Sequence, residues 1–453
     1  MTTAAKAPSG LARRLVAILN GPTALLVVGL GLSAAAGSGF IATVNYSDIP
    51  SQDKAPLSGL YLLLSLVGTG MFAGFEQEMT RAVSRALALG QPEGVVIRHQ
   101  VRNAAFVAVG TALVLCAASP FVVPKWMDGH WFVFAELLLG LVGAWAAFLV
   151  RGVLSGRRQF RSYAITMVVE GLARLLPAIL LVLVGLASTW AFGLVYALGF
   201  IVAALSGLLV ARAPIPGDAP PEEAHEQEME TANQAAVRLA RLTGGIMAGQ
   251  LLMYAVPLYI NAKLAGDSRL VIGVTAAVGL TRLALLILFP LQAPLLPKLT
   301  AAAALREMHK VRRTTAALVA VCVGAGLFGV LVTGTLGPWI VRVVMGATQP
   351  PPRSFLIELA VGTLFLLVAN VLQSALIALN RQQTVLVAWV LGVVVMAPMF
   401  LLPGSVLSVA AIAAIVGPLA TALLMGWDVL RVTRSRPNDP PVPATPTEVT
   451  ALR

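Results

Sequence analysis

The chain has 453 residues, of which 58% are hydrophobic and only 11% charged; its mean hydropathy is +0.86. A soluble domain averages about 25% charged residues. That excludes a soluble enzyme or nucleic-acid-binding domain and reads as an all-α polytopic membrane protein, whose net charge of +12 has meaning only once the basic residues are located.

Taken from the start, residues 1–21 carry Lys6, Arg13 and Arg14 ahead of an apolar run. A secretory signal has such a basic head, but its apolar core is shorter; the run from Pro22 to Val44 is long enough to span, so it reads as an uncleaved first helix. Further spans are expected at about 57–75, 104–123, 131–150, 162–184 and 188–210. Residues 22–211 thus form one six-helix bundle. The linker 212–240 contains "PGDAPPEEAHEQEMETANQ", acidic and led by proline. Spans at about 242–262, 270–290, 315–336, 355–378, 384–402 and 405–430 make a second bundle over 241–431. The tail 432–453 is rich in proline and polar, and disorder is expected there.

The loops separate by charge. The N-terminus, the loops 76–103, 151–161, 211–241, 298–314 and 379–383, and the tail hold 24 of the 32 Lys and Arg residues. Six lie on the other side: Lys54, Lys125, Lys263, Arg269, Arg342 and Arg353. The excess of basic residues on one side places the protein in the cytoplasmic (inner) membrane with both termini cytoplasmic. The positive charge is then a topology signal, and no nucleic-acid partner is implied.

The halves echo each other. Gly156-Arg157-Arg158-Gln159 after span four falls opposite Asn380-Arg381-Gln382-Gln383 after span ten, and Phe72 and Arg81 fall opposite Phe289 and Lys298. Six is even, so the repeat is parallel, with a pseudo-two-fold along the membrane normal and a substrate path expected between the halves.

No nucleophile elbow, P-loop or zinc motif is present. The four histidines form no ligand cluster and the two cysteines, Cys116 and Cys322, read as small buried residues. An enzyme, a metal site and a resident cofactor are not expected. The informative residues are polar ones at membrane depth. Counted at 1.5 Å per residue, Glu170 lies about 12 Å into span five and Arg174 about 18 Å. Arg282 lies at a similar depth in span eight. Such groups ordinarily face a cavity or a partner. Glu170 and Arg174 are spaced i, i+4 and share a face. They form either a self-neutralising structural pair or a gate in which protonation of Glu170 releases Arg174 for an anion. The three charges sum to +1, which favours an anionic ligand over a cationic one. Pro177 follows and can kink the span.

Spans one and seven, "VVGLGLSAAAGSGFIATVNY" and "LTGGIMAGQLLMYAVPLYINAK", are rich in small residues and carry Asn45, and Gln250, Pro257 and Asn261. Small residues allow close packing and, with these amides, suit the wall of a wet cavity. Arg282, Arg174, Gln250, Asn45 and Asn261 are therefore candidate substrate contacts. Glu170, Pro177 and Pro257 are candidate coupling or gating positions. "FEQEMTRAVSRA" after span two places Glu78, Arg81 and Arg85 at a candidate cytoplasmic portal.

The parallel repeat, "RGVLSGRRQFRSYA", its echo "NRQQTVLVA" and "FPLQAPLLPKLT" resemble the polysaccharide-transporter (O-antigen flippase-like) branch of the multidrug/oligosaccharidyl-lipid/polysaccharide (MOP) flippase superfamily. The resemblance implies two six-helix bundles with alternating access and a central cavity lined by spans one, two, seven and eight. It implies movement of a polyprenyl-diphosphate-linked oligosaccharide from the inner to the outer leaflet. Membrane lipids, and glycosyltransferases or a polymerase of the same pathway, are the candidate partners, and H+ or Na+ the candidate coupled ion. Arg282 falls on a cavity-lining helix of that fold and span five lies off it. A cation-coupled drug exporter and a non-transporting scaffold of a glycan-synthesis complex are the alternatives.

Overall fold

The computed structural model describes residues 22–88, 90–211, 232–264, 267–292, 299, 307–379 and 381–434. The linker from 212 to 231, the first 21 residues and the tail beyond 434 lie outside the described residues. The chain is all-helical where described. The first half comprises α1 (Pro22–Tyr46), α2 (Ser51–Leu64), α3 (Gly70–Ala88), α4 (Glu93–Trp126), α5 (Trp131–Gly156), α6 (Phe160–Leu183) and α7 (Thr189–Val210). A π-helical turn at Ser65–Thr69 joins α2 to α3, so the two make one continuous span. The second half comprises α8 (Ala232–Lys263), α9 (Ser268–Gln292), α10 (Met308–Trp339), α11 (Arg353–Ala378), α12 (Gln382–Met396) and α13 (Val406–Thr433).

Every expected span is found, and several helices run well past the apolar segment. α3 continues to Ala88, α4 begins at Glu93 and α10 at Met308. Hydropathy marks only where hydrocarbon ends, and a helix satisfies its own backbone beyond that point. Eleven helices in the described residues are long and apolar enough to cross a membrane; the twelfth span, α9, has described side chains only as far as Thr281. This is a polytopic fold of twelve spans in two six-helix halves.

Each half has its own apolar core. In the first, α1 packs on α6 and α5 on α7 and α3; in the second, α11 packs on α10 and α13. The halves meet chiefly where α1 and α2 touch α9 and where α3 touches α8. Large side chains such as Leu113, Leu209 and Leu331 point outward, as a surface solvated by acyl chains requires. Cys116 belongs to this face of α4 and is exposed, contrary to expectation; Cys322 is buried.

Because the chain runs up and down, alternate loops collect at the same end. One end bears Arg157, Arg241 and Arg381 and is called the basic end; the other bears Ser47, Gly129 and Gly346.

Candidate functional site

At the basic end the halves part around a cavity of about 840 Å³. Its described lining comes from α3, α8, α11 and α12, whereas the resemblance implied spans one, two, seven and eight. Spans two and seven are therefore shared, and spans ten and eleven enter because the cavity leans into the second half. Arg282 lies on α9, but its side chain is outside the described residues, as is that of Arg85.

Each wall follows from helical periodicity. On α11, Leu366, Asn370, Gln373 and Ile377 recur at three- and four-residue steps and share a face. On α8, Arg241, Gly245, Gly249 and Met253 do the same, with Gln250 beside them. Gly245 and Gly249 bring bare backbone to the wall. α3 contributes Gln77, Glu78 and Arg81. Arg81 grips the buried Glu78 in a fork, Nη2 to Oε1 at 2.8 Å and Nε to Oε2 at 3.3 Å. The portal pair read from the sequence is thus an ion pair on the cavity wall. Arg241 is exposed at the mouth and makes no ion pair among the described residues.

Gln250 is the one expected substrate contact that the described cavity lining contains. Asn370, Gln373 and Trp389 were not anticipated. The indole Nε1 of Trp389 donates to Gln373 Oε1 at 2.6 Å, and Asn370 Nδ2 donates to Leu366 O at 2.8 Å. The signal was the polar recurrence in "VANVLQSALIALNRQQ"; uncharged amides near the end of a span are easily passed over.

The opposite end is shut. Asn45 Nδ2 donates to Met345 O at 2.7 Å, and the Tyr46 hydroxyl donates to Val343 O. Trp126 Nε1 donates to Leu258 O at 2.9 Å. All three cross from the first half to the second. Lys54 caps the end of α1, its Nζ donating to Asn45 O at 2.9 Å and Ser47 O at 2.7 Å, where the last helical carbonyls need donors. The receiving turn is itself special. Pro338 removes a donor, a π-helical turn follows at Ile340–Val344, and Gly346 has φ +68° with the Tyr46 ring against it. Asn45 therefore lies at the seal, away from the cavity. Asn261 is buried near the same end, and its Nδ2 has no partner among the described residues. α8 runs through Pro257 without a break.

The charges of span five lie elsewhere, inside the first half. Glu170 is buried and takes two guanidinium groups: Arg174 Nη1 at 2.8 Å and Arg151 Nη2 from α5. Arg151 had been placed in a loop; it is buried within α5, where its Nε also donates to Thr166 Oγ1 at 3.1 Å. Tyr163 on α6 donates to Glu76 on α3 at 2.6 Å. Arg174 donates from Nε to Tyr196 O at 3.2 Å and stacks within 4.4 Å of the Tyr196 ring centre and 4.2 Å of that of Phe200. α6 continues through Pro177. None of these residues lines the cavity.

The two echoed arginines both form ion pairs at the basic end, but with partners on non-equivalent helices, α4 in the first half and α13 in the second. Arg157 pairs with Glu93 at 2.5 Å, and its counterpart Arg381 pairs with Asp428 at 3.0 Å. The Asp428 carboxylate holds the Arg381 guanidinium above its ordinary range.

No protein-family model matches the chain. It is 27% identical over 360 residues to an uncharacterised protein of Mycobacterium tuberculosis, covering 78% of this chain and 79% of the relative. A second uncharacterised protein of that organism is 27% identical over 365 residues, with the same coverage. Among solved structures, the chain is similar to the inward-facing conformation of a multidrug resistance MATE family transporter of the MOP superfamily, with TM-score 0.69, 13% identity, and coverage of 90% of this chain and 98% of that one. The outward-facing conformation of such a transporter gives TM-score 0.63 at 13% identity, covering 95% and 99%. The Vibrio cholerae MATE transporter VcmN in the bent form gives 0.58 at 18%, covering 94% and 98%. The chain has the fold of the MATE transporters.

Proposed function

We propose that the protein is an alternating-access flippase that moves a polyprenyl-diphosphate-linked oligosaccharide from the inner to the outer leaflet, and that this conformation faces the cytoplasm. The observation that carries this reading is a polar cavity between two six-helix halves, open at the end that bears the basic loops and sealed at the other. With the basic end cytoplasmic, the substrate enters near Arg81 and Arg241 while the prenyl tail stays in the bilayer. The described cavity lining sums to one net positive charge, from Arg81, Arg241 and Glu78, which suits a diphosphate at the mouth. With the interior negative, carrying two negative charges outward gains about 4.6 kcal/mol per 100 mV. H+ or Na+ is the ion that would be exchanged, and no cofactor is needed.

Glu170 would have to part from two arginines before it could carry an ion. We therefore place it, with Arg174 and Arg151, as an internal brace. Arg282 remains the proposed second cation of the path.

Reconstitution in liposomes with a fluorescent lipid-linked oligosaccharide tests the reading. Time-dependent transfer of the label between leaflets is expected, and its absence overturns the proposal. The likeness to multidrug resistance transporters favours a second reading, drug export. In that case cationic dyes are moved by the same vesicles and the lipid-linked sugar is not.

A further inference from the structure

We propose that the α8–α11–α12 wall is a saccharide subsite that recognises uncharged, hydroxyl-bearing sugar residues, set deeper than the arginines at the mouth. This rests on the flippase reading and adds what the deeper part of the cavity binds.

The charged lining is confined to the mouth, where Gln77, Gln382 and Gln383 stand among the arginines, and the polar lining below it is uncharged. Arg241 lies near the start of α8, and Gln250 is nine residues further in, about 13 Å at 1.5 Å per residue. Asn370 and Gln373 reach the same zone from α11, and the floor is the apolar pair Met253 and Leu366. An anionic group entering at the mouth thus meets cations first, and whatever it carries meets carboxamides.

The carboxamides suit sugars because each offers two N–H donors and a carbonyl acceptor on one planar group. A hydroxyl both donates and accepts, so neighbouring hydroxyls can use both sides of an amide. Gln373 is held in place for this. An indole nitrogen only donates, so the atom bonded to Trp389 Nε1 is the Gln373 oxygen. The amide nitrogen is then fixed on the other side, and it makes no bond of its own among the described residues. Gln250 makes none either. The sole carboxylate in the described lining, Glu78, is tied to Arg81, so the wall offers nothing to attract a cationic sugar or drug.

The test uses the full chain in lipid nanodiscs and two probes: a fluorescent polyprenyl diphosphate bearing an uncharged hexose trisaccharide, and its sugar-free parent. Wild type is expected to bind the sugar-bearing lipid about tenfold more tightly, as two or so net hydrogen bonds provide. Gln250→Leu and Gln373→Leu should each reduce that preference to about threefold while sugar-free binding stays within about twofold. Gln250 makes no hydrogen bond among the described residues, so its variant keeps the test valid if Gln373→Leu fails to fold. An undiminished preference in both variants, or no preference in wild type, overturns the subsite and leaves the flippase reading standing. Failure to bind either lipid, with binding of a cationic dye, overturns both.

Discussion

The two halves place their polar residues differently. In the first half the intramembrane charges face inward: Arg151 and Arg174 close on Glu170 and Glu76 takes a hydrogen bond from Tyr163, while Glu136 on α5 is buried with one carboxylate oxygen unpartnered among the described residues. In the second half the cavity wall carries a single charge, Arg241 at the mouth, and is otherwise uncharged, built from Gln250, Asn370, Gln373 and Trp389. A buried charge costs several kcal/mol unless it is paired, so charges brace a helix bundle only in closed sets. An uncharged amide can stand in a cavity unpaired, wetted by water, until a ligand arrives. Buried charge thus holds helices together within the first half, and uncharged polar groups line the cavity from the second.

The largest effect expected is on the brace. Glu170→Ala leaves two buried guanidinium groups facing each other and should lower stability by about 3–5 kcal/mol, read as thermal unfolding in detergent. If Glu170→Ala unfolds no earlier than Gln250→Ala, the contrast between the halves fails. The next effect is on the seal. Asn45→Ala or Trp126→Phe removes one bond between the halves, worth about 0.5–1.5 kcal/mol. The conformational balance should move several-fold toward opening at that end, measured by the distance between spin labels at the exposed loop residues Asp48 and Thr348, one on each half, before and after substitution.

A smaller effect is expected at the repeated arginines. Arg157→Gln should cost roughly 0.5–1 kcal/mol, because its pair with Glu93 is largely shielded from solvent. Arg381→Gln should cost no less, because Arg381 is itself 45% exposed but its loss strips the Asp428 carboxylate, only 2% exposed, of that cation. A smaller loss in paired unfolding curves would show that exposure of the arginine matters more than burial of its partner. Smallest of all is Arg241→Gln, which should leave stability unchanged and weaken sugar-bearing and sugar-free lipid binding alike, more so at low salt.

Much of the fold was legible because hydrocarbon demands long apolar helices, and twelve such runs stand in the sequence. The even division of basic loops and the echo of Arg157 in Arg381 disclosed the two halves. The site was legible only where charge marked it, at Glu78 and Arg81, and at Gln250 through its depth in span seven. Arg151 was hidden because it follows the apolar run directly, so hydropathy could not tell a buried last turn from a loop. Asn45 misled for a related reason. A lone amide in a span of small residues suits a wet wall, but Asn45 sits one residue from the end of α1 and reaches across to Met345. The Gln373–Trp389 bond joins two helices, and no single-helix pattern contains it.

The seal between the halves has one further property. Its donors are an amide, a phenol and an indole, all on the first half, and its acceptors are the backbone carbonyls of Met345, Val343 and Leu258 on the second. A carbonyl of the main chain is the same whatever residue carries it, so inheritance can alter this lock almost solely through Asn45, Tyr46 and Trp126. Since no ion pair takes part in these three bonds, the lock should hold equally in fresh and in saline surroundings.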